Sequence, residues 1–491
     1  MKSTTFTLLS SLAFALAADA ITHAVLPGKS IQAKINLAVA GDIVAIFGGT
    51  YNEDLTINKA IRLVEVSGQQ VILNGNIAFS GIVDCPPLDG FAVGSSGRGI
   101  TLTNTTGMVL SNLDMPSGTY VNASASPIRI TNCRLHDVTS GGGVDFKMTD
   151  AQLSGSVNIS GAKQVISNVT IAGGLTQGAG VLEVSQSTVG AINQQAGTLN
   201  TTKVTVGGNF DTQTAALKTV AFRTTVAGDC NWRSKKNWFG YSNGRSFQFD
   251  GDQSLITLVG CMLNPQDNSY APRAVLRLTG NQNKIAITNN KIVNVKYTHW
   301  SGRYAFWNTA IGIVGSNTKC SISNNYIQMK LTGYNDPPNP PEIYANYGIY
   351  SNTDLIEIRN NIFDGCRVAV FAPFGATLNY NLHYNPTTST LSEGGVIANN
   401  EVQADALFVE NEAPKLQATS PCVNGGTPDP RYNDRDGSRN DIGPSGGAWF
   451  DPDGWTTENP VVISFDLSPD AVLEGVDTEV ILSEGQAVSA P

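Results

Sequence analysis

The sequence predicts an all-β chain wound into a parallel β-helix, a solenoid with one short helix over its first turn. Three observations predict it. Residues 25–73 pass from a brief amphipathic helix into strand after strand, separated only by Gly, Asn and Asp. Apolar pairs around a polar bend residue then recur, and Asn112, Asn132, Asp150 and Asn168 are spaced 20, 18 and 18 residues apart, about one compact coil each. No window sustains helical periodicity beyond about three turns.

The opening elements follow in order. A Pro27-Gly28 turn precedes Ser30, a good helix N-cap, and Ile31, Ile35 and Ala38 fall on one helical face. After Gly41-Asp42 come the apolar runs 43–46, 55–57, 61–64 and 71–73, with a Gly48-Gly49 turn among them. A helix that brief suits a lid, because the first rung of a solenoid exposes unpaired strand edges and an apolar interior. The segment closely resembles the start of right-handed parallel β-helix proteins, the pectate-lyase-like superfamily. The resemblance implies a right-handed, single-stranded solenoid across most of residues 25–400.

Further coils are marked by Val109-Leu110-Ser111-Asn112-Leu113, Ile130-Thr131-Asn132-Cys133 and Val165-Ile166-Ser167-Asn168-Val169. Later, Asn289-Asn290, Asn324-Asn325 and Asn360-Asn361 repeat the theme at spacings of 35 and 36, so these coils carry long inserted loops. Asn suits a recurrent bend because it tolerates left-handed backbone and its amide can bond to the neighbouring coil.

Composition bounds the function. The 491 residues carry 14% charged residues, 50 Gly and a formal charge of −9, which argues against nucleic acid as partner. Residues 1–20 read as a secretory signal peptide: Lys2, an apolar run from Phe6 to Ala17, and a small-x-small end at Ala18-Asp19-Ala20. No later segment is apolar enough to span a bilayer, so the expectation is an exported, soluble chain, secreted or at the cell surface, without membrane insertion. Its oligomeric state is not encoded in any motif. Seven cysteines include no CxxC spacing, and Cys133 and Cys366 sit at coil positions as buried small hydrophobes. The domain reading is a signal peptide (1–20), a parallel β-helix (21–415), a capping segment (416–450) and an acidic tail or hairpin (451–491).

Function points to the middle. Between Trp232 and Tyr350 lie 17 of 38 aromatic residues, and residues 232–303 hold ten Lys or Arg against three Asp, a local +7. Aromatic faces stack on sugar rings, and Arg or Lys neutralise uronate or sulfate groups. This composition predicts an acidic-polysaccharide site using Trp232, Trp238, Arg273, Arg277, Trp300 and Trp307. In residues 291–300, strand alternation sends Val293 and Val295 inward and Asn294, Lys296 and Thr298 outward, with Arg303 returning after Ser301-Gly302. A β-elimination lyase needs a base for the proton α to a uronate and a cation for the developing enolate. Lys296 and Arg303 would fill these roles, with His299 as proton carrier.

A hydrolase would need two carboxylates, for which Asp336, Glu342 and Asp364 are the nearest candidates. Asn352-Thr353-Asp354 matches the triplet of polygalacturonase-type glycosidases, but their paired aspartates, His-Gly and Arg-Ile-Lys elements are missing, as is the Trp-Ile-Asp-His signature of pectate lyases. The alternative function is a non-catalytic surface or matrix protein using the solenoid as rigid spacer or adhesin.

Beyond the coils, Ser420-Pro421-Cys422 and Asp434-Arg435-Asp436-Gly437 through Ile442-Gly443 resemble the terminal segment after β-helices in many secreted bacterial proteins. Asp434, Asp436, Asn440 and Asp441 supply oxygens for a Ca²⁺, or pair with Arg431, Arg435 and Arg439. Residues 451–491 hold nine Asp or Glu and no Lys or Arg.

Overall fold

A computed structural model describes residues 20–66, 68, 70–265, 274–297, 309–331, 347–353, 355–384, 391–410, 414–448, 451, 454, 456, 461–468 and 482–488. The chain is all-β, a parallel β-solenoid of about 17 turns. Each coil crosses three flat faces. In one coil these are Tyr120–Ser124, Ile128–Thr131 and Arg134–Leu135, here called sheets A, B and C. The next coil repeats them as Asp137–Gly141, Phe146–Thr149 and Gln152–Leu153, each paired in parallel with its predecessor. One face of every strand is therefore committed to the interior, and the alternating Ile, Val and Leu of these strands fill it.

The expected lid is present. Helix Ile31–Leu37 is capped by Ser30, whose Oγ accepts the Ala33 N–H at 3.0 Å. Glu53 accepts the N–H groups of Ile31 and Gln32 and places its carboxylate at the helix start. Ile31, Ile35 and Ala38 are all buried, as one apolar face requires.

The corner between sheets B and C is built on left-handed backbone. Asn112, Asn132, Asp150 and Asn168 all have φ near +50°, and the same corner continues through Gln186, Lys203, Arg223, Tyr241, Gly260, Asn289, Asn324, Asn360, Tyr380 and Asn400, with φ from +46° to +63°. A two-residue bend between parallel rungs demands that conformation, and Asn adopts it at least cost. The following residue turns inward. Asn290, Asn325, Asn361 and Asn381 there form a buried amide ladder that ends on Glu401. Glu401 also accepts or shares the proton of buried His383 at 2.8 Å.

Residues 416–448 run along the flank of the solenoid. The chain doubles back over the B–C corner: Thr427 N–H donates to Asn360, Asn324 Nδ2 to Asn440 Oδ1 and Asp441 O, and Asn289 Nδ2 to Gly446 O. The strap continues to Tyr241, whose hydroxyl accepts from Asp451 N–H, and to Arg223, which donates to Gly454 O. The outward-pointing corner residues thus serve as its anchors. Ile442 and Cys422 pack under it against Tyr326, Ile362 and Leu382. All seven cysteines are buried and unpaired. No helix of the described residues is long and apolar enough to cross a membrane. Of the expected signal peptide, residues 1–20, positions 1–19 lie outside the described residues.

Candidate functional site

Two of the expected sugar platforms are not presented to solvent. Trp232 is 0% exposed, because strand alternation turns it into the core. Its ring packs edge-on against Phe210 and Phe247, both at 5.0 Å, and Phe239 at 5.7 Å. Trp238 lies on the outer face of sheet B, out of phase with core residue Phe239, yet it is only 1% exposed. It belongs to a separate apolar cluster with Val220, Phe222, Tyr241 and Val259. Neither indole can stack on a sugar in this arrangement.

Arg277 does reach a cleft. Parallel pairing places Asp211, Asn231, Gln248 and Arg277 at one register position on the outer face of sheet A in successive coils. With Thr279, Asp250, Arg233 and Gln213 they line a cleft of about 380 Å³. Its carboxylates are engaged: Asp211 accepts from Asn231 Nδ2 at 2.7 Å, and Asp250 accepts from Thr279 Oγ1 at 3.1 Å and faces Arg233 at 3.9 Å. Half-buried Arg277 has no hydrogen-bond or ion-pair partner among the described residues. A guanidinium so placed among amides and a hydroxyl suits a carboxylate or sulfate ligand.

The same column continues through Gly312 to Tyr350 and Phe371. Tyr350 and Phe371 stack at 5.6 Å and 21°, and Tyr347 lies on Phe371 at 4.8 Å and 17°. This aromatic shelf, with Asn231 and Gln248, escapes a reading of local composition. Only the coil register, with its uneven loop lengths, brings these residues into line.

In three consecutive coils the chain leaves sheet C after Leu263, Tyr297 and Leu331 and rejoins sheet A at Leu276, Thr309 and Tyr347. Arg273 belongs to the first connection, and His299, Trp300, Arg303 and Trp307 belong to the second; all five lie outside the described residues. Lys296 is in strand Lys291–Tyr297, opposite Lys330 of the next coil. That strand is not regular. Asn294 has φ +56° and the register shifts between Ile292 and Val295. Ile292 and Val295 therefore face the core, whereas Val293, expected inside, packs outside against the strap's cluster.

Of the hydrolase candidates, Asp336 and Glu342 lie outside the described residues. Asp364 accepts from Tyr326 Oη at 2.5 Å and Gln328 Nε2 at 3.0 Å on sheet C. In the Asn352-Thr353-Asp354 triplet, Thr353 is buried and donates to Thr318 O, a structural use.

The C-terminal acids accept hydrogen bonds from the chain around them. Asp434 accepts the N–H groups of Asp441 and Gly447, Asp441 accepts that of Asn424, and Asp436 binds Ser438 N–H and Oγ–H. The Asn440 side chain is spent between Tyr432 O and Asn324. Burial raises the Asp434 and Asp441 carboxyls, with nearby carboxylates adding to it. Among the described residues no three His, Cys, Asp or Glu side chains converge as a metal site. The expected arginine partners also pair elsewhere: Arg431 with Asp429, Arg435 with Asp451, and Arg439 with Gly426 O.

No known protein family matches this sequence, and no curated protein does. Among solved structures, one similar chain is an alginate lyase in complex with G6, 11% identical, covering 81% of this chain and 88% of that one, with a TM-score of 0.22. A score that low does not establish a shared fold.

Proposed function

We propose that this chain binds an acidic polysaccharide over sheet A, in the cleft that holds Arg277. The observation that carries the reading is the half-buried guanidinium, without a partner among the described residues, beside Asn231, Gln248 and Thr279. Arg pairs with a carboxylate through two parallel N–H bonds, and neutral amides serve sugar hydroxyls. The Tyr350–Phe371 shelf supplies an apolar face at the same register position, two and three coils further along.

If the bound uronate is cleaved, β-elimination is the reaction the residues support, with Lys296 as base and Arg303 holding the carboxylate. The test is a purified-protein screen against uronate and sulfated polysaccharides, following salt-sensitive binding and the ultraviolet absorbance of an unsaturated uronate. Absorbance that rises and is abolished by Lys296→Ala makes the chain a lyase. Binding with a flat trace makes it a binding module. Neither signal overturns the reading in favour of a rigid spacer or adhesin.

A further inference from the structure

The basic residues of the middle coils do not all face sheet A. Lys218, Lys236, Lys284 and Lys319 share one register position of sheet B, with Leu255 between the second and third. At the usual strand spacing this column spans about 19 Å. Beside it lies the outer apolar cluster, where Lys218 Nζ sits 4.8 Å above the Trp238 ring and Arg223 sits 4.8 Å above Phe222. Cations stacked on aromatic faces beside a lysine column make a surface for a polymer that carries both negative charge and apolar ring faces.

What lies over that surface is the chain's own acidic end. Strand Val461–Ser468 runs against Lys236–Gly240 and Leu255–Val259 and pairs with Leu482–Val488 as an antiparallel hairpin. The approach is tightly seated: a Cβ on Gly454 would come within 2.0 Å of the Tyr241 ring. Residues 451–491 hold nine acids and no Lys or Arg, so charge complementarity favours this placement. The hairpin is a poor structure by itself. Two strands alone are marginal in water. As a cover it is also imperfect, because the buried Trp238 Nε1–H has no acceptor among the described residues. A sugar hydroxyl would supply one.

We propose that this face of sheet B is a second binding site for an anionic polysaccharide, and that the acidic C-terminal hairpin occupies it until such a polymer displaces it. The site is separate from the Arg277 cleft and stands or falls without it.

The experiment uses the full-length chain and dextran sulfate as probe, with uncharged dextran as control. Asp466→Asn with Glu484→Gln weakens the hairpin's hold and should tighten dextran sulfate binding about fivefold or more. Adding Lys218→Ala and Lys236→Ala should cancel that gain, whereas Arg277→Ala should lower binding alike with and without the amide pair and so preserve the ratio between them. In the unsubstituted chain, dextran sulfate should raise hydrogen exchange in 461–468 and 482–488. No gain from the amide pair, a gain that survives loss of both lysines, or equal binding of uncharged dextran would each overturn the proposal. Loss of the gain with Arg277→Ala would also overturn it, since the sheet A cleft alone would then explain the binding.

Discussion

Asn325 donates its side-chain amide to Oδ1 of Asn361 in the next coil at 2.9 Å, and its backbone N–H goes to the same oxygen at 2.9 Å. Asn290 uses Asn325 in the same two ways. Each rung of the ladder therefore satisfies two buried donors of the rung before it.

Replacing Asn325 with Ala strands both donors of Asn290 in a buried site. The expected cost is about 3 kcal/mol, since each orphaned buried group costs roughly 1–3 kcal/mol. Because coils stabilise their neighbours one by one, the loss should appear first as faster hydrogen exchange around Asn290 and Asn361 and then as a lower denaturation midpoint. Unchanged exchange at both positions would show that the ladder does not hold the late coils together.

Trp232 and Arg277 should separate stability from binding. Trp232→Ala empties a site walled by Phe210, Phe239 and Phe247 and should cost about 3–5 kcal/mol. Arg277→Ala should leave stability within about 0.5 kcal/mol and weaken binding of an acidic polysaccharide about tenfold. Denaturation and binding isotherms on the two variants check both statements. Equal polysaccharide affinity in Arg277→Ala and the unsubstituted chain would remove the cleft as the site.

The thiols should be silent in the folded chain. Burial pushes Cys85 and Cys422 up to about 11 and Cys261 up to about 12, and it raises Cys133, Cys230, Cys320 and Cys366 as well. The thiolate is the reactive form, so an aromatic disulfide reagent near pH 8 should titrate none of them until denaturant is added, and then all seven. Rapid labelling of any one before unfolding would contradict its burial.

The first coil should be sensitive to acid. Asp42 accepts the N–H groups of Val39 and Ile21, both at 2.9 Å, and bonds the His23 ring at 3.0 Å. These contacts, the Val39 bond foremost, lower its carboxyl from 3.8 to about 2. A folded value below the unfolded one gives stability that is present above about pH 4 and is lost as pH falls through about 2. Amide exchange at Ile21 and Val39 should quicken over that window, and Asp42→Asn should flatten the dependence.

The bends were legible because they rest on local backbone chemistry. Asn112, Asn132, Asp150, Asn168, Asn289, Asn324 and Asn360 mark left-handed corners, which Asn adopts at less cost than most side chains; the corners at Gln186, Lys203, Arg223, Tyr241 and Tyr380 hold the same φ without that mark. The lid was legible for a similar reason, since a cap and one apolar face fit within eight residues from Ser30. Val293 was misplaced because a bulge at Asn294 reverses strand phase without altering the alternation of residue types. Trp232 and Trp238 were misplaced because an aromatic-rich window does not say which face of a strand is inside.

By itself the sequence determined the architecture: coil length, corner residues and an apolar phase for each strand are local properties, repeated until they specify a solenoid. Which side chains meet across coils was decided only by the tertiary structure. Asn231, Gln248 and Arg277 align because unequal loops return the chain to one register, and Asn289 holds Gly446 across 157 positions. Such pairings depend on closure of long loops and on stacking of rungs, and no period in the chain encodes them.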